Sequence, residues 1–228
     1  MDIIKSVIFG ASGMVGKGVL LECLKSQAVK SVLVIGRSSC NVEHAKLKEI
    51  IHHDFTDYSD IKEDMKGYNA CFFCLGISSF MMKEEDYKRI TYDYTLEAAG
   101  ALHELNRDMV FCYISGAGTD SSGKGRSMWA RIKGKTENDL LKIPFRKVYL
   151  FRPGYIQPQR GIRPKTTLYR IFYTFFGIFY PLLQLLLTDY VTKTCKLGLS
   201  MLYVTVKSPE KQTLTTKDIN DFAASYSA

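Results

Sequence analysis

The sequence has little with which to hold a metal, nothing that marks export, and no recognisable nucleic-acid module. Its four histidines (His44, His52, His53, His103) lack zinc-ligand spacing, so no metal is expected. The six cysteines are scattered rather than framed as a disulfide scaffold. Cys71 and Cys74 have the spacing of a redox pair, but residues three apart in a strand point to opposite faces, so reduced core thiols are expected. No signal segment precedes the first apolar run, which sets the expectation of a cytoplasmic, reducing compartment. Repeats, low-complexity tracts and long linkers are missing too, leaving one domain as the simplest organisation of 228 residues.

Acids are scarce in one stretch. From Ser121 to Arg170, thirteen lysines and arginines face two acids, Glu137 and Asp139, within a chain of net charge +8. Such an excess suits an anionic cofactor, a membrane surface or a solvated basic face. With no accompanying nucleic-acid motif, no nucleic-acid partner is expected.

What is present is a strand, a glycine turn and a helix, in that order. The apolar run Ile3–Phe9 breaks at Gly10 and passes through Gly10-Ala11-Ser12-Gly13-Met14-Val15-Gly16 into a helical pattern over Met14–Ser26. Gly10 permits a tight turn, Gly13 lets the backbone approach a pyrophosphate, and Gly16 allows close packing of helix on strand. The amides opening the helix then face an anion at the positive end of the helix dipole. Further apolar runs alternate with helical patterns: Ser31–Gly36, Glu49–His52, Ala70–Gly76, Met109–Ser115 and Lys147–Phe151 as strands, and Tyr58–Met65, Glu84–Asn106 and Ser127–Leu141 as helical crossovers. The pattern predicts an α/β fold, a doubly wound parallel sheet of Rossmann type with ligand at the carboxyl ends of its strands.

At the tip of the second strand the sequence reads Gly36-Arg37-Ser38-Ser39, without the acid that would hold a free ribose 2′-hydroxyl. Arg37 pairs better with a 2′-phosphate, so NADP(H) is favoured over NAD(H). Asp54 and Phe55, past the third strand, are candidate walls of an adenine pocket, with a turn or helix-cap role for Asp54 as the alternative.

The glycine turn, Arg37, Asp54, the strand end Cys74-Leu75-Gly76, Ser115 after the fifth strand, Lys133, and the turn Arg152-Pro153-Gly154 together resemble atypical short-chain dehydrogenase/reductases, in particular the Tat-interacting oxidoreductase-like branch. The resemblance is strong to about Gln157 and loose beyond. It implies a role for Ser115 in steadying a substrate oxygen, and for Lys133 in holding the nicotinamide ribose. It also implies a cofactor site that takes in Gly76, Pro153 and Gly154. The departure is the proton donor: the family's tyrosine falls on Trp129, four residues before Lys133. An indole donates but does not titrate near neutral pH. Tyr155, and more weakly Tyr87, are the substitute proton relays considered, with plain packing as the alternative for both. A small-molecule carbonyl substrate is expected if the chain is an enzyme; the alternative is a non-catalytic NADP(H)-binding sensor.

Residues 1–157 thus read as the dinucleotide-binding core and 158–228 as a small C-terminal helical lid packed on it. Within the lid lies the one long apolar run, 168–187, interrupted by Arg170, Pro181 and Gln184. A buried lid or homodimer contact is favoured. Peripheral membrane contact comes second, supported by Arg160, Arg163, Lys165 and Arg170 upstream, and a true span last.

Overall fold

A computed structural model describes residues 3–159 and 187–227. Strands β1 (Ile4–Phe9), β2 (Val29–Gly36), β3 (Leu47–Ile51), β4 (Ala70–Phe73), β5 (Val110–Ile114), β6 (Lys147–Arg152) and β9 (Thr213–Thr215) form one seven-stranded sheet in the order 3-2-1-4-5-6-9. Every neighbouring pair in it is parallel. This is the doubly wound sheet that the alternation of runs predicts.

The period of two along each strand sorts the core onto two faces. Ile4, Ile8, Phe72 and Cys112 meet Val19, Leu20 and Leu24 of α1 (Met14–Lys25) on one side. Val7, Phe9, Phe73 and Phe111 meet Tyr58, Ile61, Met65 and Leu102 on the other. Cys71 falls in the second cluster while Cys74 packs against the first, so the two thiols point apart. Burial pushes the Cys23 thiol up to about 12 and raises Cys71 and Cys112 well above the usual thiol range.

The second face is covered by two 3-10 turns (Ser59–Ile61 and Glu63–Met65), by α3 (Tyr94–Leu105) and by α4 (Met128–Leu140). The helix expected over Glu84–Asn106 runs without interruption from Glu84 to Leu105, as α2 (Glu84–Lys88), a π turn (Arg89–Asp93) and α3. Within the π turn the Tyr92 hydroxyl donates to Asp139 on α4 at 2.8 Å.

The C-terminal region is helical as expected, in α5 (Thr194–Lys207), which no run read from the sequence announced, and α6 (Thr216–Ser227). Leu197, Met201, Leu202 and Ile219 complete the first face of the core, and β9 adds a seventh strand beside β6. Between them the short strands β7 (Tyr155–Gln157) and β8 (Val191–Lys193) pair in parallel. The apolar segment 168–187 lies outside the described residues except for Leu187. Among the described residues no helix is long and apolar enough to cross a membrane.

The crossing of α1 and α5 depends on small residues. A Cβ on Gly18 would stand 2.5 Å from the Thr194 Cβ, and one on Gly198 2.9 Å from Glu22. Gly18→Val is therefore expected to destabilise the fold by about 1–3 kcal/mol through overpacking. Urea denaturation checks this; a midpoint equal to that of the natural chain would contradict it.

Candidate functional site

Strand order reverses at β1, whose neighbours β2 and β4 lead to opposite halves of the sheet. Open α/β sheets bind ligands in the crevice that such a reversal leaves. The glycine turn sits there. Gly10 has φ +79°, and a Cβ on it would lie 2.7 Å from the backbone of Cys74 and Leu75. The first turn and the β4 strand end are thus pressed main chain to main chain. A Cβ on Gly16 would lie 2.2 Å from Gly10 O, so the helix also sits directly on the turn. Gly13 closes the turn by donating its N–H to Gly10 O at 2.9 Å and is the N-cap of α1.

The helix start carries the observation that matters most for a ligand. No side chain caps α1, and no acid lies in its first turn. Orphan N–H groups at a helix start, with the dipole behind them, favour an anion. Ala11 is buried, whereas Ser12, Gly13, Met14 and Val15 are half-buried at the surface of the crevice.

The rest of the first half is less uniform. Arg37 is exposed, immediately after the last residue of β2. Gly76 is exposed and Cys74 and Leu75 are half-buried. Asp54 accepts from Thr56 N at 2.9 Å and from its hydroxyl at 2.6 Å, a local turn that holds its carboxyl below the usual range. Phe55 is 1% exposed and packs edge-on to Phe9 and Tyr58, so its side chain serves the core.

The second half is assembled by β5, β6 and α4. Ser115 directly follows β5 and is buried, its hydroxyl donating to Phe151 O at 3.1 Å. Lys133 reaches the same place from α4 and donates through Nζ to Ile114 O at 3.0 Å, with the Tyr113 ring centroid 5.3 Å away. Trp129, one turn earlier on α4, lies against Gly116 and Gly118 of the loop after β5. That loop is joined to β6 by the Ala117 N–H donating to Pro153 O at 2.8 Å, and Gly154 N donates to Thr216 Oγ1 at 2.9 Å. Tyr155 follows on β7, its hydroxyl donating to Gln157 Oε1 at 2.7 Å. Tyr87 is 2% exposed within α2. Ser115, Lys133, Trp129 and Pro153 therefore converge on one edge, while Tyr87 is packed away in the core.

Sequence reasoning missed the pair behind Lys133. Glu137, 1% exposed, receives both Arg152 Nε at 3.0 Å and Arg152 Nη2, a two-pronged ion pair that also engages Ser121. Its signal was available: a rare acid in the basic stretch, four residues after Lys133 and hence on the same helix face. Burial pushes the Lys133 ammonium down to about 8, with Glu137 opposing the shift. A surface cleft lined by Tyr58, Lys62, Glu97 and Glu104 shares no residue with either half of this site.

No family model matches the chain. Protein HTATIP2 of Rattus norvegicus is 29% identical over 173 residues, 74% of this chain and 70% of that protein. The mitochondrial protein FMP52 of Meyerozyma guilliermondii is 24% identical over 157 residues, 68% of this chain and 66% of its own length. The chain thus spans about two thirds of these curated relatives. Among solved structures, a short chain dehydrogenase from Burkholderia cenocepacia in complex with NADP aligns at TM-score 0.65 and 11% identity, covering 100% of this chain and 94% of that one. WbmF of Bordetella bronchiseptica, in complex with NAD+, aligns at 0.67 and 13% identity, covering 99% and 78%. The chain is thus similar in sequence to HTATIP2 and FMP52 and in fold to these nucleotide-bound dehydrogenases. Trp129 stands four residues before Lys133, and α4 brings Lys133 to the end of β5.

Two outcomes follow from the Lys133 surroundings. Glu137→Gln leaves a half-buried Arg152 without its counter-charge and is expected to cost ~3 kcal/mol in denaturant titrations; unchanged stability would contradict the pairing. Lys133→Met removes a cation whose folded pKa lies below its ordinary 10.5. The folded chain releases that proton first, so the penalty of burying it is full below pH 8 and fades as pH rises toward 10.5. The variant's stability advantage is expected to shrink over that window, and a pH-independent difference would argue against a depressed lysine.

Proposed function

We propose that the chain binds NADP(H) and acts as an oxidoreductase on a small carbonyl substrate. The uncapped, acid-free start of α1 behind the Gly10–Gly16 turn carries this reading. The backbone from Gly10 to Gly16 would hold the diphosphate, with the exposed Arg37 toward a 2′-phosphate. Asp54 and Cys74–Gly76 would border the adenosine half, with Phe55 behind them in the core, and Lys133, Pro153 and Gly154 the nicotinamide half. The NADP complex of the Burkholderia dehydrogenase, similar in fold, supports the choice of coenzyme class. When bound, a nicotinamide supplies hydride transfer at a carbon centre. Ser115 would then steady the substrate oxygen and Trp129 would wall the substrate space against Gly116 and Gly118.

Trp129 favours a second reading, a cofactor-binding protein without turnover, because the residue that usually exchanges the proton is gone. The two part on one assay: both bind NADPH, and only the enzyme oxidises it faster when a carbonyl compound is added.

Calorimetry is expected to give tighter binding of NADPH than NADH, with Arg37→Ser removing most of the difference, roughly tenfold, or about 1.4 kcal/mol. Equal affinities in the natural chain would contradict the NADP preference, and no heat with either coenzyme would contradict the site.

A further inference from the structure

We infer that Lys133 itself, through Nζ, delivers the proton to the substrate oxygen, the task that tyrosine performs in the resembled family. The inference rests on the oxidoreductase reading above and deepens it. It starts from the other donors at the edge, each of which is committed or inert. The Ser115 hydroxyl, which donates to Phe151 O, can turn to steady an oxygen by a hydrogen bond, but an alcohol is too weak an acid to give up its proton near neutral pH. The Trp129 N–H does not titrate near neutral pH. Tyr155 spends its hydroxyl on Gln157, and burial raises its phenol. Tyr87 and Tyr113 are 2% and 1% exposed, and burial holds the Tyr113 phenol above its usual range.

Lys133 differs on each count. It carries three protons and directs one of them at Ile114 O, next to Ser115. Its acidic neighbour on the same helix face does not neutralise it, because Arg152 occupies both oxygens of Glu137. The charged and titratable groups around it are Glu137 on α4, Arg152 on β6, Tyr113 on β5 and, behind Tyr113, Tyr87 on α2. Burial among them brings the ammonium down to about 8, where a proton leaves and returns readily at neutral pH. The Glu137–Arg152 pair is thus a positioning device. It places a carboxylate close enough to keep Lys133 protonated but withholds the hydrogen bond that would trap the proton.

The step balances with a reduced nicotinamide dinucleotide as reductant. As hydride reaches the carbonyl carbon, the C=O π pair forms the new O–H bond with a proton from Lys133 Nζ. The lysine is left as a neutral amine and regains its proton from water.

Lys133→Arg is the discriminating variant, because a guanidinium keeps the charge and donors but does not release a proton in this range. Lys133→Gln is the second, uncharged variant. NMR titration of the full chain with 13C-methylated lysines is expected to show one signal, absent from both variants, titrating at about 8. Lys133→Arg is assayed at NADPH concentrations that saturate it, its affinity being read separately by calorimetry. Its oxidation of NADPH over a panel of aldehydes and ketones should fall by about a hundredfold or more, with loss of the alkaline limb of the pH profile. A Lys133 signal titrating at the ordinary 10.5, or Lys133→Arg turnover equal to the natural chain's, overturns the inference. Failure of the natural chain to bind either coenzyme, or to turn over any carbonyl, overturns the proposed function, and this step with it; the lysine titration is read independently of both.

Discussion

The structure depends on a close approach between main chains. Gly10, at positive φ, lies against the Cys74–Leu75 backbone, and Gly16 sits on Gly10 O. These two contacts bring β1, the end of β4 and the start of α1 to a common point, leaving no room for a side chain between them. Because the fit is made of backbone, what it presents outward is also backbone: a helix start with N–H groups that no side chain satisfies. In the proposed reading that helix start receives an anion through main chain alone.

The other half is built on the opposite principle, with buried charge held by exact partners only where geometry allows. Arg152 and Glu137 satisfy each other across β6 and α4, and Lys133 is left with a carbonyl and an aromatic face. Breaking such a pair leaves an uncompensated buried charge, so Glu137 and Arg152 hold each other while Lys133 shares the same helix face. In the inference drawn above, the same surroundings give Lys133 a proton that can be exchanged.

Local signals made most of the sheet legible. The run into Gly10, the glycine spacing, and the opposite facing of Cys71 and Cys74 all follow from periods that act within a few residues. Boundaries were less legible where tertiary contact sets them. β4 stops at Phe73 rather than Gly76 because Cys74 and Leu75 are taken by the contact with Gly10. The long helix widens to a π turn at Arg89–Asp93, where Tyr92 bonds Asp139 on a distant element. Helix α5 escaped notice because its register is set by small residues. Gly198 is there to approach Glu22, a contact that hydrophobic periodicity does not encode.

Within the site, the residues carried by the family resemblance come together at the strand ends, while the Glu137–Arg152 partnership joins residues 15 apart and is visible only once β6 lies beside α4. Phe55 shows the converse limit: a position read as pocket wall has its side chain in the core.

The central claim is that the backbone of the glycine turn receives the diphosphate of a nicotinamide dinucleotide. Amide-resolved NMR of the 15N-labelled chain, titrated with NADPH, tests it most directly. The account predicts the largest saturable shifts at Ser12 to Gly16, the amides that open α1. Shifts confined to residues remote from that turn, such as those around Tyr58 and Glu104, or none at millimolar nucleotide, would contradict it.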